Sequence, residues 1–496
     1  MNDFFCIFAE NYKGNNMKTE IIGRKKELVD LQEYYNSHEA EFIVIYGRRR
    51  VGKTFLVHRF FHDQFDFCVT GLSPIESDKI NLKGRQLENF QTALNQYGIR
   101  EYAKPSDWFE AFNCLQDLLS NADNQGRQVV FIDELPWMDT PSSEFITALE
   151  HFWNDWAAHK SNLMFIVCGS ATSYIIDNVI NNTGGLYNRI THQMLIPPFT
   201  LSETESYLNS RDIPFDRIEI LRCYMVMGGI PYYLRQLKRG KSLAQNIDEL
   251  FFSAGAPLAG EYDRLFSSLF KRPETYRQII EILAGKKAGY SRSEICTLLG
   301  KKCGGDISRY LRDLKNCFFI SSYYSMDKKR DIKYKLCDFY TLFYLKFIKG
   351  KDGLDPKFWS HSVNTPAIQA WSGLTFELIC LTHVEQIKRG LGISGVLCNA
   401  FSWWNRDAQD AGTQIDLVLE RGDRAINLCE IKFCANEPFL ITKEYADKLR
   451  QKVAIFRESV KTRYAILPTL ISTFGFVPGK NSSVIQCIVT MDDLFD

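Results

Sequence analysis

Phe42-Ile43-Val44-Ile45-Tyr46-Gly47-Arg48-Arg49-Arg50-Val51-Gly52-Lys53-Thr54 is the stretch from which the rest of the chain is read. An apolar run suited to a buried strand enters a turn of the form G-x-x-x-x-G-K-T. Phe55-Leu56-Val57-His58-Arg59-Phe60-Phe61 then continues with a helical pattern. Strand, glycine-rich turn and helix in that order make a phosphate-gripping loop. Gly47 and Gly52 let backbone N–H groups curl around an anion, and the helix that follows adds its partial positive charge. Lys53 is placed to reach the β- and γ-phosphates of a nucleotide, and Thr54 to offer its hydroxyl to Mg²⁺. The residues expected to line the nucleotide are Gly47, Arg48, Val51, Gly52, Lys53, Thr54 and Phe55.

Further along, Gln128-Val129-Val130-Phe131-Ile132-Asp133-Glu134 is an apolar run ending in two acids. That is the form of a buried parallel strand whose C-terminal tip carries function. Asp133 is expected to hold Mg²⁺, and Glu134 to orient or deprotonate the attacking water. Asn162–Ser170 reads as another buried strand, lying between the phosphate loop and the acidic pair. Its Ser170 either senses the γ-phosphate or is a plain strand-end serine. Arg189, before a last strand at His192–Ile196, is either an arginine finger or a surface cation. Arg24, ahead of a helix from Glu27 to about His38, either approaches the nucleotide or forms part of the helix start. Strands alternating with helices imply an α/β, three-layered parallel sheet.

At 496 residues the chain exceeds one core, and roughly three domains are expected. The 45% apolar and 24% charged shares are ordinary for a globular protein, and a net charge of +1 leaves any nucleic-acid surface to local patches. The fourteen cysteines include no C-x-x-C pair, which argues for reduced thiols and a cytoplasmic setting. No apolar run is long enough to span a bilayer, and no signal peptide is read. Residues 1–16 receive no role, since Met17 opens a segment resembling a natural start.

The expected units are 17–200 for the sheet domain, 201–270 for a helical lid, 271–345 for a winged helix-turn-helix and 366–496 for a separate tail. In the third, Ser291 with Glu294 forms a capping box, and a helix at Asp306–Asn316 precedes a hairpin whose basic tip is Asp327-Lys328-Lys329-Arg330-Asp331. Arg309, Arg312 and Lys315 on that helix are candidates for phosphates or base edges of nucleic acid, or for protein contacts. Residues 350–366 read as a linker. In the tail, Thr413–Glu420 and Ile426–Phe433 form a hairpin about the turn Arg421–Ala425. Strand periodicity puts Glu430 and Lys432 on one face with Asp416 beside them. Asp416, Glu430 and Glu377 are the expected ligands of a second Mg²⁺, with Lys432 assisting an attack on a phosphodiester. Trp403 and Trp404 read as core, with base stacking as the alternative.

The order of these pieces resembles the P-loop ATPases of the STAND/AAA-like superfamily, and more narrowly the archaeal-type ATPases of archaea and Bacteroides-like bacteria. The resemblance covers nearly the whole chain from Met17. Ile22-Gly23-Arg24, Gly47–Thr54, Phe131–Glu134, Cys168-Gly169-Ser170 and Gly229-Ile230-Pro231 carry it, the last being similar to the G-x-P signature of STAND proteins. The tail resembles the PD-(D/E)xK nuclease superfamily: Asp416, Glu430 and Lys432 match its D…ExK core and Glu377 its first-helix acid, with Ile415 in place of a proline. The resemblance implies an ATP- and Mg²⁺-dependent switch coupled to a nuclease-like tail directed at DNA or RNA, acting alone, as a homo-oligomer or with a protein partner. The alternative is a regulator or scaffold whose tail binds without cutting.

Overall fold

The computed structural model describes residues 20–73, 81–98, 101–122, 126–170, 172–182, 184–270, 272–325, 328–351, 355–404 and 413–496. Residues 1–16, part of the expected linker, residue 327 of the expected basic hairpin tip and the side chains of 328–331 lie outside that description. The chain forms two compact units. The first holds the described residues up to Ile45, Gly52–Gly169 and Asn178–Met194; the second holds Tyr46–Val51, Ser170–Asp177 and Leu195–Asp496.

The sheet of the first unit contains β1 (Glu41–Tyr46), β2 (Phe67–Thr70), β3 (Gln128–Asp133), β4 (Leu163–Gly169) and β5 (His192–Leu195), in the order β2-β3-β4-β1-β5. β2, β3 and β4 pair in parallel, Phe67 opposite Val130 and Val130 opposite Phe165. Every residue of β3 and β4 is buried, which explains why both read as unbroken apolar runs. α1 (Lys25–Asn36), α2 (Lys53–Phe60), α3 (Leu82–Tyr97), α4 (Trp108–Asn121) and α5 (Phe145–Asp155) accompany the sheet. α4 starts at Asp107, whose carboxylate accepts the Glu110 N–H. Its Trp108, Phe112 and Leu115 are buried together with Phe145 and Phe152 of α5.

In the second unit, α6 (Leu201–Ser210) opens with a capping box of Thr200 and Glu203, and α7 (Arg217–Met227) ends at Gly228. Gly229 has φ +63 and lies against the Phe199 carbonyl, so only a glycine fits, and Pro231 then starts a short helix. α8 (Glu261–Leu269), α9 (Pro273–Ala284), β6 (Tyr290–Ser291), α10 (Arg292–Leu298), α11 (Gly305–Asn316), β7 (Ile320–Ser325), β8 (Lys328–Leu336) and α12 (Phe339–Phe347) follow. The strands form a three-stranded sheet in the order β6-β8-β7 with antiparallel pairing. The expected box at Ser291 and Glu294 is present. Cys296 and Cys303 form a disulfide, against the expectation of reduced thiols. The turn after α10 brings these two cysteines together at a spacing that no C-x-x-C search detects.

The tail begins with α13 (Pro366–Thr382) and α14 (Val384–Gly390). Its sheet is built from β9 (Cys398–Trp404), β10 (Gln414–Arg421), β11 (Ala425–Lys432), β12 (Ala465–Ser472) and β13 (Cys487–Thr490), in the order β13-β12-β11-β10-β9. α15 (Lys443–Val460) connects β11 to β12. β10 and β11 form the expected antiparallel hairpin, whereas β11–β12 and β12–β13 are parallel. Trp403 is fully buried with Val418, Leu428 and Phe456. His383 is buried too: its Nε2 accepts the Leu201 N–H at 3.1 Å, so Nδ1 carries the proton it shares with the Ile379 carbonyl at 2.9 Å. Among the described residues no helix is long and apolar enough to cross a membrane.

Candidate functional site

β1 delivers the chain into a loop whose backbone departs from ordinary conformations: Gly47 has φ +145, Arg50 +75 and Gly52 +93. A Cβ on Gly47 would run into the Ile196 carbonyl, and the Ile196 N–H donates to the Tyr46 carbonyl at 2.8 Å. Gly52 then serves as N-cap of α2, with nothing within 4 Å of where its Cβ would stand. The loop is therefore fixed from below and open above, as an anion cradle at a helix N-terminus must be. Lys53 is buried on the first turn, while Thr54 and Phe55 are exposed.

Thr54 Oγ1 donates to Asp133 Oδ2 at 2.8 Å, a contact between residues 79 positions apart. Asp133 Oδ1 accepts the N–H of Glu134 at 2.9 Å. A hydroxyl and a carboxylate so joined are hard oxygen ligands of the type Mg²⁺ takes, so these residues fit that ion. Glu134 sits just past β3 in a left-handed conformation, φ +47 and ψ +44, which turns the chain directly into a short helix at Leu135–Met138. Its side chain is half-buried. Backbone strain at a non-glycine residue is the sort held at functional sites. Burial, then Asp133, pushes the Cys168 thiol well up, so that side chain stays neutral at the end of β4.

Ser170 is buried immediately after β4, and β4 lies between β1 and β3 in the sheet. Arg189 is exposed in a turn, its backbone N–H on the Leu186 carbonyl. Arg24 is buried with φ +56, and its guanidinium lies 3.8 Å from Glu27. Two loop arginines have partners that sequence reading missed. Arg48, 1% exposed, pairs with Asp338 at 2.8 Å and lies over the Phe319 ring. Burial works against its charge, but Asp338 and Tyr233 hold its pKa above the ordinary arginine value. Arg50 pairs with the buried Glu261 and stacks 4.0 Å from the Tyr232 ring centroid. Their side chains are engaged by protein, which leaves the loop's backbone to face a phosphate.

On α11, Ile307, Leu311 and Leu314 are buried and Arg309, Arg312 and Lys315 are exposed on the opposite face. Arg309 lies 3.3 Å from Asp306 and Arg312 2.8 Å from Asp177.

The tail's acids come together, with lysines among them. Leu417 stands opposite Cys429, which puts Asp416 opposite Glu430, and Asp416 Oδ2 accepts the Ile431 N–H at 3.3 Å. Glu430 Oε1 takes Lys452 Nζ at 2.5 Å, and Oε2 has Lys432 at 3.5 Å. Glu377, buried on α13, takes Lys335 on Oε1 at 2.8 Å and Lys287 on Oε2 at 2.6 Å. Burial opposes the charge of Glu377, yet Lys335 and Lys287 hold its pKa below the ordinary glutamate value. Asp416 is pushed up to about 6 by burial, with Glu377 and Glu430 adding to it. Beside Glu430 a cavity of about 190 Å³ is lined by Lys432, Tyr445, Lys448, Leu449 and Lys452. Among the described residues no three His, Cys, Asp or Glu side chains are arranged to hold a metal ion. The shell expected of Glu377, Asp416 and Glu430 is thus not assembled as it stands, and ammonium groups pair with both oxygens of Glu377 and of Glu430. Lys287, Lys335 and Lys452 went unnoticed in the sequence. The one available signal was Lys333-Tyr334-Lys335, which puts two lysines on one face of a strand, both buried.

The parallel sheet, the loop at the end of β1 and the Thr54–Asp133 contact define a P-loop ATPase domain. Residues 21–237 match a family described as an ATPase domain predominantly from Archaea, which supports an ATPase domain that binds ATP in this part of the chain. Across 451 residues, 90% of this chain and 95% of the other, it is 24% identical to an uncharacterised protein of Methanocaldococcus jannaschii. An uncharacterised ATP-binding protein of the same organism is 44% identical over 43 residues, 9% of this chain and 73% of that protein. Among solved structures, the Walker-type ATPase of Pyrococcus abyssi aligns with a TM-score of 0.47 at 18% identity, covering 66% of this chain and 97% of that one. The Aeropyrum pernix ORC2 protein, in its ADPNP–ADP complexes, aligns at 0.38 and 16%, covering 68% and 95%.

Proposed function

We propose that this chain is an ATP-driven switch: ATP binding and hydrolysis in the sheet domain alter the helical, winged-helix and nuclease-like parts that follow. The Thr54–Asp133 hydrogen bond is the observation that carries the reading, since it joins the phosphate loop to the acidic strand where a magnesium nucleotide needs both. Backbone N–H groups of residues 47–54 would cradle the phosphates and Lys53 would neutralise the terminal ones. Thr54 and Asp133 would hold Mg²⁺, which when bound supplies positive charge against the phosphate oxygens. Glu134 would orient the attacking water and accept its proton. Ser170 and Arg24 are assigned to sensing the nucleotide. Arg189, exposed in its turn, is assigned as the finger for the site of its own or a neighbouring copy. Arg309 and Lys315, with Arg312 beside Asp177, are the proposed contacts to DNA or RNA. The γ-phosphate is the natural source of the different contacts such a switch needs in its two states.

Lys53→Ala should abolish ATP binding measured by calorimetry, and Glu134→Gln should bind ATP without turning it over. Unchanged affinity in the first or full turnover in the second would remove the assignment.

For the tail, one reading is a nuclease using Asp416, Glu430 and Lys432. A second, a DNA- or protein-binding scaffold that does not cut, is favoured by the lysines on Glu377 and Glu430. Nicking of DNA or RNA with Mn²⁺ that vanishes in Lys432→Ala separates the two.

A further inference from the structure

The cavity beside Glu430 is walled by two elements of the tail. Tyr445, Lys448, Leu449 and Lys452 are spaced at helical intervals along α15, so they share one of its faces. Glu430 and Lys432 alternate along β11 and meet that face from the sheet. The enclosed space is about 190 Å³. Its wall carries the ammonium groups of Lys432, Lys448 and Lys452 against the one carboxylate of Glu430, an excess of positive charge. Glu430 is already matched, Oε1 by Lys452 at 2.5 Å and Oε2 by Lys432 at 3.5 Å. Lys448 is exposed and has no ion pair among the described residues. The Tyr445 hydroxyl is buried with no hydrogen-bond partner in the protein. Burial, then Glu430 and Asp416, push its pKa up, so it keeps its proton as a donor. A buried donor left unmatched is costly, and a bound acceptor would offset that cost. Excess positive charge and a spare buried donor suit an anion. The wall has no arginine, hence no planar fork to fit a carboxylate at two points. Lysines act as point charges, which suits the spread oxygens of a phosphate.

We propose that this cavity is a metal-independent site for a phosphate group, held by Lys432, Lys448, Lys452 and the Tyr445 hydroxyl. The phosphate belongs to a polynucleotide backbone or is free in solution. The proposal rests on the reading of the tail as a scaffold that binds without cutting. In this arrangement Glu430 orients Lys432 and Lys452.

The test uses the full-length protein carrying Lys53→Ala, which silences the phosphate loop, in EDTA. The probes are inorganic phosphate, followed by calorimetry, and a labelled single-stranded oligonucleotide, followed by anisotropy. Tyr445→Phe removes a hydroxyl that holds nothing in the protein, so the fold should stand while affinity falls about threefold. Lys448→Glu should weaken binding at least about tenfold. For the oligonucleotide, Lys448→Ala should flatten the dependence of log affinity on log salt by about 0.7, the loss of one phosphate contact. These losses with inorganic phosphate alone identify a free phosphate as the ligand, and with the oligonucleotide they identify the polymer; either supports the site. Binding of neither probe, binding that both variants leave unchanged, or binding that requires Mn²⁺ overturns it. So does a polyglutamate peptide that binds through Lys448 where neither phosphate probe does. The scaffold reading is scored separately. Oligonucleotide binding indifferent to Tyr445→Phe and Lys448→Glu removes the phosphate site and keeps the scaffold. Mn²⁺-dependent cutting that Lys432→Ala abolishes removes the scaffold, while metal-free binding weakened by Tyr445→Phe keeps the site.

Discussion

Replacing Arg48 with methionine isolates the most buried charge in the phosphate loop. Its guanidinium is 1% exposed and 2.8 Å from Asp338, whose other oxygen caps α12 by accepting the Thr341 N–H at 3.0 Å. Arg48→Met keeps most of the side-chain volume but strands the Asp338 carboxylate, and breaking a buried pair in this way costs about 3–5 kcal/mol. Arg48→Met/Asp338→Asn removes the stranded charge while the Asn oxygen still caps α12. The double variant should therefore lie closer to wild type than Arg48→Met does. Because a chain of several parts need not unfold in one step, the measurement is native-state hydrogen exchange of the α12 amides, which reports local opening. Arg48→Met within about 1 kcal/mol of wild type, or a double variant whose loss is the sum of the two single losses, would refute the account of a desolvated, mutually dependent pair.

Three further outcomes are expected. Burial depresses the pKa of His383 from the usual 6.5 to about 4. The resulting stability is present above pH 6.5 and lost as pH falls through about 4, amounting to about 3 kcal/mol, and chemical denaturation across that range should show a loss absent from His383→Gln. Gly47→Ala forces a Cβ onto the Ile196 carbonyl at a backbone angle that disfavours it, so ATP affinity by calorimetry should fall at least about tenfold. Trp403→Ala opens a hole among Val418, Leu428 and Phe456 and should cost the tail about 3–5 kcal/mol, read from exchange of the β10 and β11 amides.

What was legible in the sequence was whatever repeats locally. The strand into Gly47, the run into Asp133, the capping box at Ser291 and the hairpin about Arg421–Ala425 all carry their signal within a dozen residues: periodicity, a glycine at a forced angle, an acid at a strand end. Trp403 was readable as core for the same reason. The partners of Arg48, Arg50 and Glu377 were not legible, because an ion pair between residue 48 and residue 338, or 287 and 377, leaves no periodic trace. A carboxylate in a D…ExK pattern looks the same in sequence whether it awaits a metal or already holds a lysine. The disulfide between Cys296 and Cys303 escaped for a related reason: Gly300, at φ +66, marks the turn after α10, but nothing local says which two thiols that turn brings together.

Arg48 and Arg50 carry a lesson about dissection. Their counter-charges, Asp338 and Glu261, come from stretches far downstream of the loop itself. A fragment ending near residue 237, where the family match stops, would lose both carboxylates and leave two guanidinium groups without these counter-charges, stacked only on Tyr232 and Tyr233. Biochemistry on such a truncated ATPase would describe a loop with altered electrostatics and a looser backbone, not the one the intact chain possesses.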